Sequence, residues 1–308
     1  MDDTDDATLA NVAPVYRLLE ELGLRTTKTV WPVPCPEGSP NFAGAATLED
    51  AGYLEFVRGL QARGFEIASH GATMESSRRE RTVAGLERFR EAFGHWPRVH
   101  ANHSYNRENL YWGLDRLDAP PVKAMYRLLH RRSAVPYEGH VEGSPYWWGD
   151  LAATRLDYVR NLSFAEVSLE RINPTLPYHD PARPLVRWWF SAADAEDGGA
   201  LARLLTPRAL DRLEADAGVC IVATHLGKGF ARNGSVVPAV ERALRDVARR
   251  PGWFVPVGEL LDFLRAGRSS DRLPAAEWRR MQWRWLRDLL FRQARYRAAR
   301  RLTRLRRR

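Results

Sequence analysis

Met1-Asp2-Asp3-Thr4-Asp5-Asp6 opens the chain, placing four carboxylates in five positions just ahead of a segment with helical periodicity. Such a cluster in an enzyme marks a metal site or an acid/base pair delivered by the end of a strand. A competing reading is a frayed acidic terminus in which Asp5 or Asp6 caps the following helix. No apolar run precedes the cluster, so the expectation is that a first strand is missing. Asp2 and Asp3 would then lack rigid support, in a chain that is N-terminally truncated or poorly active.

Outward from that stretch, the first third alternates helix and strand. Apolar spacing predicts helices over 9–22, 49–63 and 80–93, closed by Gly23, Gly64 and Gly94. Between them lie predicted strands at 26–33, 65–69 and 97–103, the first leading into a Pro/Gly/Ser/Asn loop through Asn41. This is the signature of βα units on parallel strands. Residues 104–184, rich in Tyr, Trp, Pro and His, read as long loops and short helices. The pattern resumes with strands at 185–191, 218–224 and 253–257 and helices at 200–217, 238–249 and 259–264.

The 308 residues, 44% hydrophobic, suffice for one large α/β domain or two smaller ones. No run of 18 apolar residues suggests a spanning helix, and no secretory signal opens the chain. The expected location is therefore cytoplasmic, or peripheral to the inner face of the membrane. Cys35 and Cys220 lack zinc spacing and are too few for a disulfide framework. From Arg268 onward fifteen Arg face three acids, so this segment carries about +12 of the net +9 and the body is left at −3 (9 minus 12). The basicity belongs to the tail, and a nucleic-acid footprint over the body is not expected. The chain divides into a body, 1–267, and an Arg-rich amphipathic helical tail, 268–308, whose Trp278, Met281, Trp285 and Leu289 recur at helical spacing. Basic residues around a Trp-bearing apolar face suit an anionic membrane surface.

Asp2/Asp3, His70, His103 and His225 each fall at the C-terminal end of a predicted strand, the edge where parallel α/β proteins build active sites. The order Asp-Asp, then His70 after Phe65-Glu66-Ile67-Ala68-Ser69, then His225 after Ile221-Val222-Ala223-Thr224, resembles the polysaccharide deacetylases with a NodB-homology domain, carbohydrate esterase family 4. The resemblance implies a distorted (β/α) barrel, here with a basic helical extension, and a divalent metal, zinc foremost. It implies removal of acetyl groups from a polysaccharide or glycan. By resemblance Asp2 is the catalytic base, His225 the general acid, and Asp3 and His70 are metal ligands. Where the family has a second metal-binding His, this chain has Met74, so His103, or less readily Glu75, is expected to complete the shell. The stretch from His103 to Gly113 also replaces the family's Arg-Pro-Pro pattern.

Tyr105, Trp147 and Trp148 lie in irregular segments at the same edge and are candidates for stacking on sugar rings. Lys28 reads as an exposed strand residue. Two rivals remain open. Asp2-Asp3-Thr4 resembles the end of the nucleophile loop of haloacid-dehalogenase-type phosphatases, but that leaves the histidines unused. The other is a non-catalytic carbohydrate-binding or membrane-associated relic of the deacetylase fold.

Overall fold

The computed structural model describes residues 1–39, 45–130 and 135–305, with side chains through Arg292. The end of the loop reaching Asn41 and the last arginines of the tail lie outside the described residues. Thr8 opens helix α1 (Leu9–Glu21) with a capping box to Asn11, so Asp5 and Asp6 are not its cap. There follow β1 (Thr27–Val30), α2 (Ala51–Ala62), β2 (Glu66–Ser69), α3 (Arg79–Phe93) and β3 (Val99–Ala101). The middle of the chain holds α4 (Pro120–Leu129), α5 (Gly149–Arg155) and β4 (Tyr158–Phe164). Then come β5 (Trp188–Ala195), α6 (Gly198–Leu204), α7 (Pro207–Ala215), β6 (Val222–Thr224), α8 (Pro238–Ala248), α9 (Val257–Ala266) and α10 (Ala275–Leu305).

Strands β1 to β6 pair in sequential order, every neighbour parallel. They are short and almost wholly buried, as expected of parallel strands covered on both faces. The first residues then tie one edge of this sheet to the other. Asp2 N donates to Thr27 O (2.8 Å) and Thr29 N to Asp2 O (2.9 Å) on the β1 side. Toward β6, Thr224 N donates to Met1 O (3.1 Å) and Asp3 N to Thr224 O (2.7 Å). Residues 1–3 therefore fill the place of the strand thought to be missing, and the α/β fold is a distorted barrel. A phosphatase-type doubly wound sheet would reverse its strand order at a switch point, and this sheet does not.

Other expectations change too. The sequence of 104–184 suggests long loops and short helices, yet β4 within it is among the longer strands and pairs with both β3 and β5. The helix over 200–217 breaks at Thr206-Pro207, because proline starts a new first turn more readily than it continues an old one. The strand at 253–257 does not form; the chain between Gly252 and Pro256 leaves Trp253 53% exposed before α9 begins. α10 forms as predicted, but its apolar stripe faces the body. Trp278, Met281, Trp285 and Leu286 are buried against Leu117, Val122, Tyr178 and Trp189. Gln282 is buried among them and accepts from Asp118 N and Ala119 N, tying α10 to the chain just ahead of α4. None of the helices, among the described residues, is long and apolar enough to cross a membrane.

Candidate functional site

The opening residues alternate as a strand must, and the alternation sorts their side chains. Asp2 points into the helix layer, where its Oδ2 accepts from Lys28 Nζ (2.8 Å) and Tyr16 Oη (2.9 Å) and its Oδ1 from Leu226 N (2.8 Å). Lys28, far from exposed, has no accessible surface. Burial disfavours its ammonium, but the Asp2 carboxylate and Tyr53 beside it prevail and its pKa is raised. The catalytic base assigned to Asp2 is thus walled off from the strand-end histidines.

Asp3 and Asp5 point the other way, into a cleft of about 330 Å³ at the C-terminal end of the barrel. Arg160, from β4, holds Asp3 with two parallel bonds, Nη1 to Oδ1 at 2.8 Å and Nη2 to Oδ2 at 2.5 Å. Burial pushes the Asp3 carboxyl up, but the Arg160 charge and the nearby His70 bring it well below the usual carboxylate range. Asp5 sits among three imidazoles. Its Oδ1 is 3.1 Å from His70 Nε2, and its Oδ2 is 3.6 Å from His103 Nε2 and 3.4 Å from His225 Nε2. His225 Nε2 is also 4.0 Å from Asp3 Oδ2. Burial opposes the Asp5 charge, yet hydrogen bonds from His103, His225 and His70 depress its pKa strongly. His103 and His225 shift upward in return: burial lowers both, and the Asp5 carboxylate more than reverses it.

Each ring is fixed through its other nitrogen. His70 Nδ1 faces Ala101 O (2.9 Å) and His225 Nδ1 faces Glu196 O (2.7 Å), and carbonyls only accept, so these nitrogens carry the protons. His103 Nδ1 faces Asn106 Oδ1 (3.2 Å). Asn106 is oriented by its amide, which donates to Thr73 O, Glu75 O and Glu108 Oε1, so its oxygen is the acceptor toward His103. With Nδ1 committed to those acceptors, each ring points its Nε2 at the Asp5 carboxylate, where it donates a proton and would offer a lone pair once a cation displaced that proton. Lone pairs and anions gather that way around a cation. Donor atoms of Asp5, His70 and His103 all lie within 4.8 Å of one another. A carboxylate with imidazoles held by outer acceptors fits a divalent ion of the zinc type.

The sequence-predicted residues divide accordingly. His70, His103, His225 and Asp3 come together in the cleft, while Asp2 does not. Asp5 and Arg160 complete the cluster without being among the expected site residues: Asp5 enters the sequence reading only as one of two alternative helix caps, and it reaches the cleft from the turn that follows Asp3. Glu75 bonds the Ser39 hydroxyl and does not line the cleft, and Met74 borders a separate depression with Trp31 and Cys35. Of the aromatics, Tyr105 lies at the cleft, 64% exposed and with a positive φ of 69°, a strained conformation for tyrosine. Trp148 is buried, its Nε1 donating to Glu108 O (2.6 Å), and neither it nor Trp147 lines the cleft. Trp112 and Trp285 do, the latter from α10.

No protein-family model matches the sequence, and no curated protein matches it. Among solved structures, a Mycobacterium smegmatis protein assigned as a polysaccharide deacetylase superposes with a TM-score of 0.52 at 13% identity, over 87% of this chain and 81% of that one. An allantoinase, Puue, gives 0.48 at 14% identity over 83% and 72% of the two chains. A Pseudomonas aeruginosa PAO1 protein, also assigned as a polysaccharide deacetylase, gives 0.47 at 15% over 83% and 73%. What the chain shares with the first of these is the fold.

Proposed function

We propose that this chain is a metal-dependent hydrolase that removes an acyl group, acetyl foremost, from an amide or ester on a glycan. The observation that carries the reading is the convergence of three Nε2 atoms on Asp5, beside an arginine-held Asp3, at the C-terminal mouth of the barrel. Asp5, His70 and His103 would hold the ion, with Asp5 taking the ligand role first given to Asp3. What a divalent cation supplies when bound there is polarisation of the acyl carbonyl and a lowered pKa for water.

The chain's own groups do the rest. Asp3, kept ionised and immobile by Arg160, takes the proton from the attacking water. His225, turned toward Asp3 and Asp5 by its bond to Glu196 O, returns a proton to the departing nitrogen or oxygen as the carbon–heteroatom bond breaks. Water is consumed, and a free acid and an amine or alcohol are released.

The test is elemental analysis of the purified chain together with acetate release from N- and O-acetylated glycans. About one divalent ion per chain is expected, lost in both Asp5→Ala and His70→Ala along with metal-dependent acetate release. Full metal retention in Asp5→Ala, or no acetate release with metal supplied, overturns the reading.

A further inference from the structure

The cleft continues beyond the Asp–His centre to a second group of side chains, organised around Arg116. This arginine is only 7% exposed, yet it lines the cleft. Its guanidinium carbon lies 4.1 Å from the ring centroid of Trp112 and 4.5 Å from that of Trp285, so the charge sits between two indoles. Packed against those faces, the group has its N–H donors left for polar contact. Among the described residues no hydrogen bond or ion pair engages Arg116, and its Nε is buried with no partner. Burial lowers its pKa to about 10, which leaves it charged at neutral pH.

The acids of the cleft cannot serve it. Asp3 is taken by Arg160, Asp5 by the three histidines, and Asp194 by Arg292. Asp115, the adjacent residue, lies 3.6 Å from His140. A second cation, Arg292, is close enough to disfavour the Arg116 charge further, and the phenolic side chains of Tyr126 and Tyr137 share the cleft with it. A buried cation with no counter-charge is costly, and indole faces offset part of that cost only. What is lacking is an anion from outside the chain.

We propose that Arg116 forms an anion subsite in this cleft, receiving a carboxylate or phosphate borne by the substrate. Its identification as part of an acyl-glycan substrate rests on the function proposed above. α10 contributes Trp285 to the sandwich, so the helix read from sequence as a membrane-facing tail would be part of what selects the substrate.

The experiment is calorimetric titration of the full chain, in an Asp3→Asn background to suppress turnover, with three probes. These are N-acetylglucosamine 1-phosphate, N-acetylmuramic acid and neutral N-acetylglucosamine. At least one acid should bind about thirtyfold more tightly than the neutral sugar, and Arg116→Gln should abolish that margin. Which acid keeps the margin separates phosphate from carboxylate. Should Arg116→Gln fail to fold, Arg116→Lys decides, since it keeps the charge but loses the fork and should lose part of the margin. Equal binding of all three probes, or a margin untouched in a folded Arg116 variant, overturns the subsite. An Arg116-dependent margin without acetate release from any glycan by the wild-type chain sinks the deacylase reading and leaves the subsite standing. Acetate release without a margin does the reverse.

Discussion

Asp2 and Asp3 are neighbours in sequence, both buried and both paired with a cation, and the two pairs are built for different ends. Asp2–Lys28 is sealed between the strand layer and helices α1 and α2, with Tyr16 and Leu226 N completing the carboxylate's contacts. Asp3–Arg160 sits on the opposite side of the same short strand, open to the cleft and next to Asp5 and His225. One residue of register separates wall from site. The difference shows that a carboxylate's partner matters less than the face it occupies.

The largest effect should come from Asp3→Asn. If Asp3 is the general base, turnover with metal bound falls by about 10²–10⁴-fold, while metal content is unchanged. Stability should fall less than the burial of Asp3 suggests, because Arg160 can be hydrated from the cleft. Assay of acetate release beside elemental analysis reads both. An Asp3→Asn chain as active as wild type would end the comparison.

Asp2→Asn should behave the opposite way. Lys28 would remain charged with no accessible surface, a defect that costs about 3–5 kcal/mol in folded proteins. Denaturant titration should show that loss, whereas the double variant Asp2→Asn/Lys28→Met should recover most of it, since both charges are then gone. If Asp2→Asn proves stable but inactive, the base belongs to Asp2 after all and the assignment by strand face is wrong.

The sequence carries half of this contrast. His70 and His225 could be placed because apolar runs end directly before them, and the glycines after the early helices mark the βα rhythm. Which of the first carboxylates faces inward could not be read, because three residues of strand have too little pattern to set a phase. Asp5 reaches the cleft from the turn that follows Asp3, and the sequence offers it only as one of two alternative caps of the next helix. Arg160 was lost with β4, whose Tyr-Val-Arg-Asn-Leu-Ser-Phe is buried at six of seven positions, so it does not alternate, and its central polar pair hides it. The stripe on α10 was legible as a helix face. Sequence periodicity does not say what covers a face, and here the covering surface is the body itself.

A third buried carboxylate extends the comparison to its weakest case. Glu108 lies behind His103, accepting from Ser77 N (2.9 Å) and from Asn106, the residue that orients His103. Unlike Asp2, it forms no salt bridge with a described lysine or arginine. Burial pushes its carboxyl up from 4.5 to about 7, outweighing the two donors. Since the folded chain binds this proton more tightly than the unfolded one, stability should be undiminished below about pH 4.5 and fall as pH rises toward 7. The loss is bounded at about 3.4 kcal/mol, from roughly 2.5 pKa units at 1.36 kcal/mol each. Glu108→Gln removes the titration, so the difference between wild-type and variant stability should grow across that window and level off above it. Urea titrations at pH 4.5, 5.5, 6.5 and 7.5 measure this, with both chains carrying His103→Gln, since the His103 charge acts on Glu108 and would otherwise titrate differently in the two. A difference that stays flat with pH would mean that Asn106 and Ser77 alone stabilise the anion, and that a buried carboxylate in this fold needs no cation.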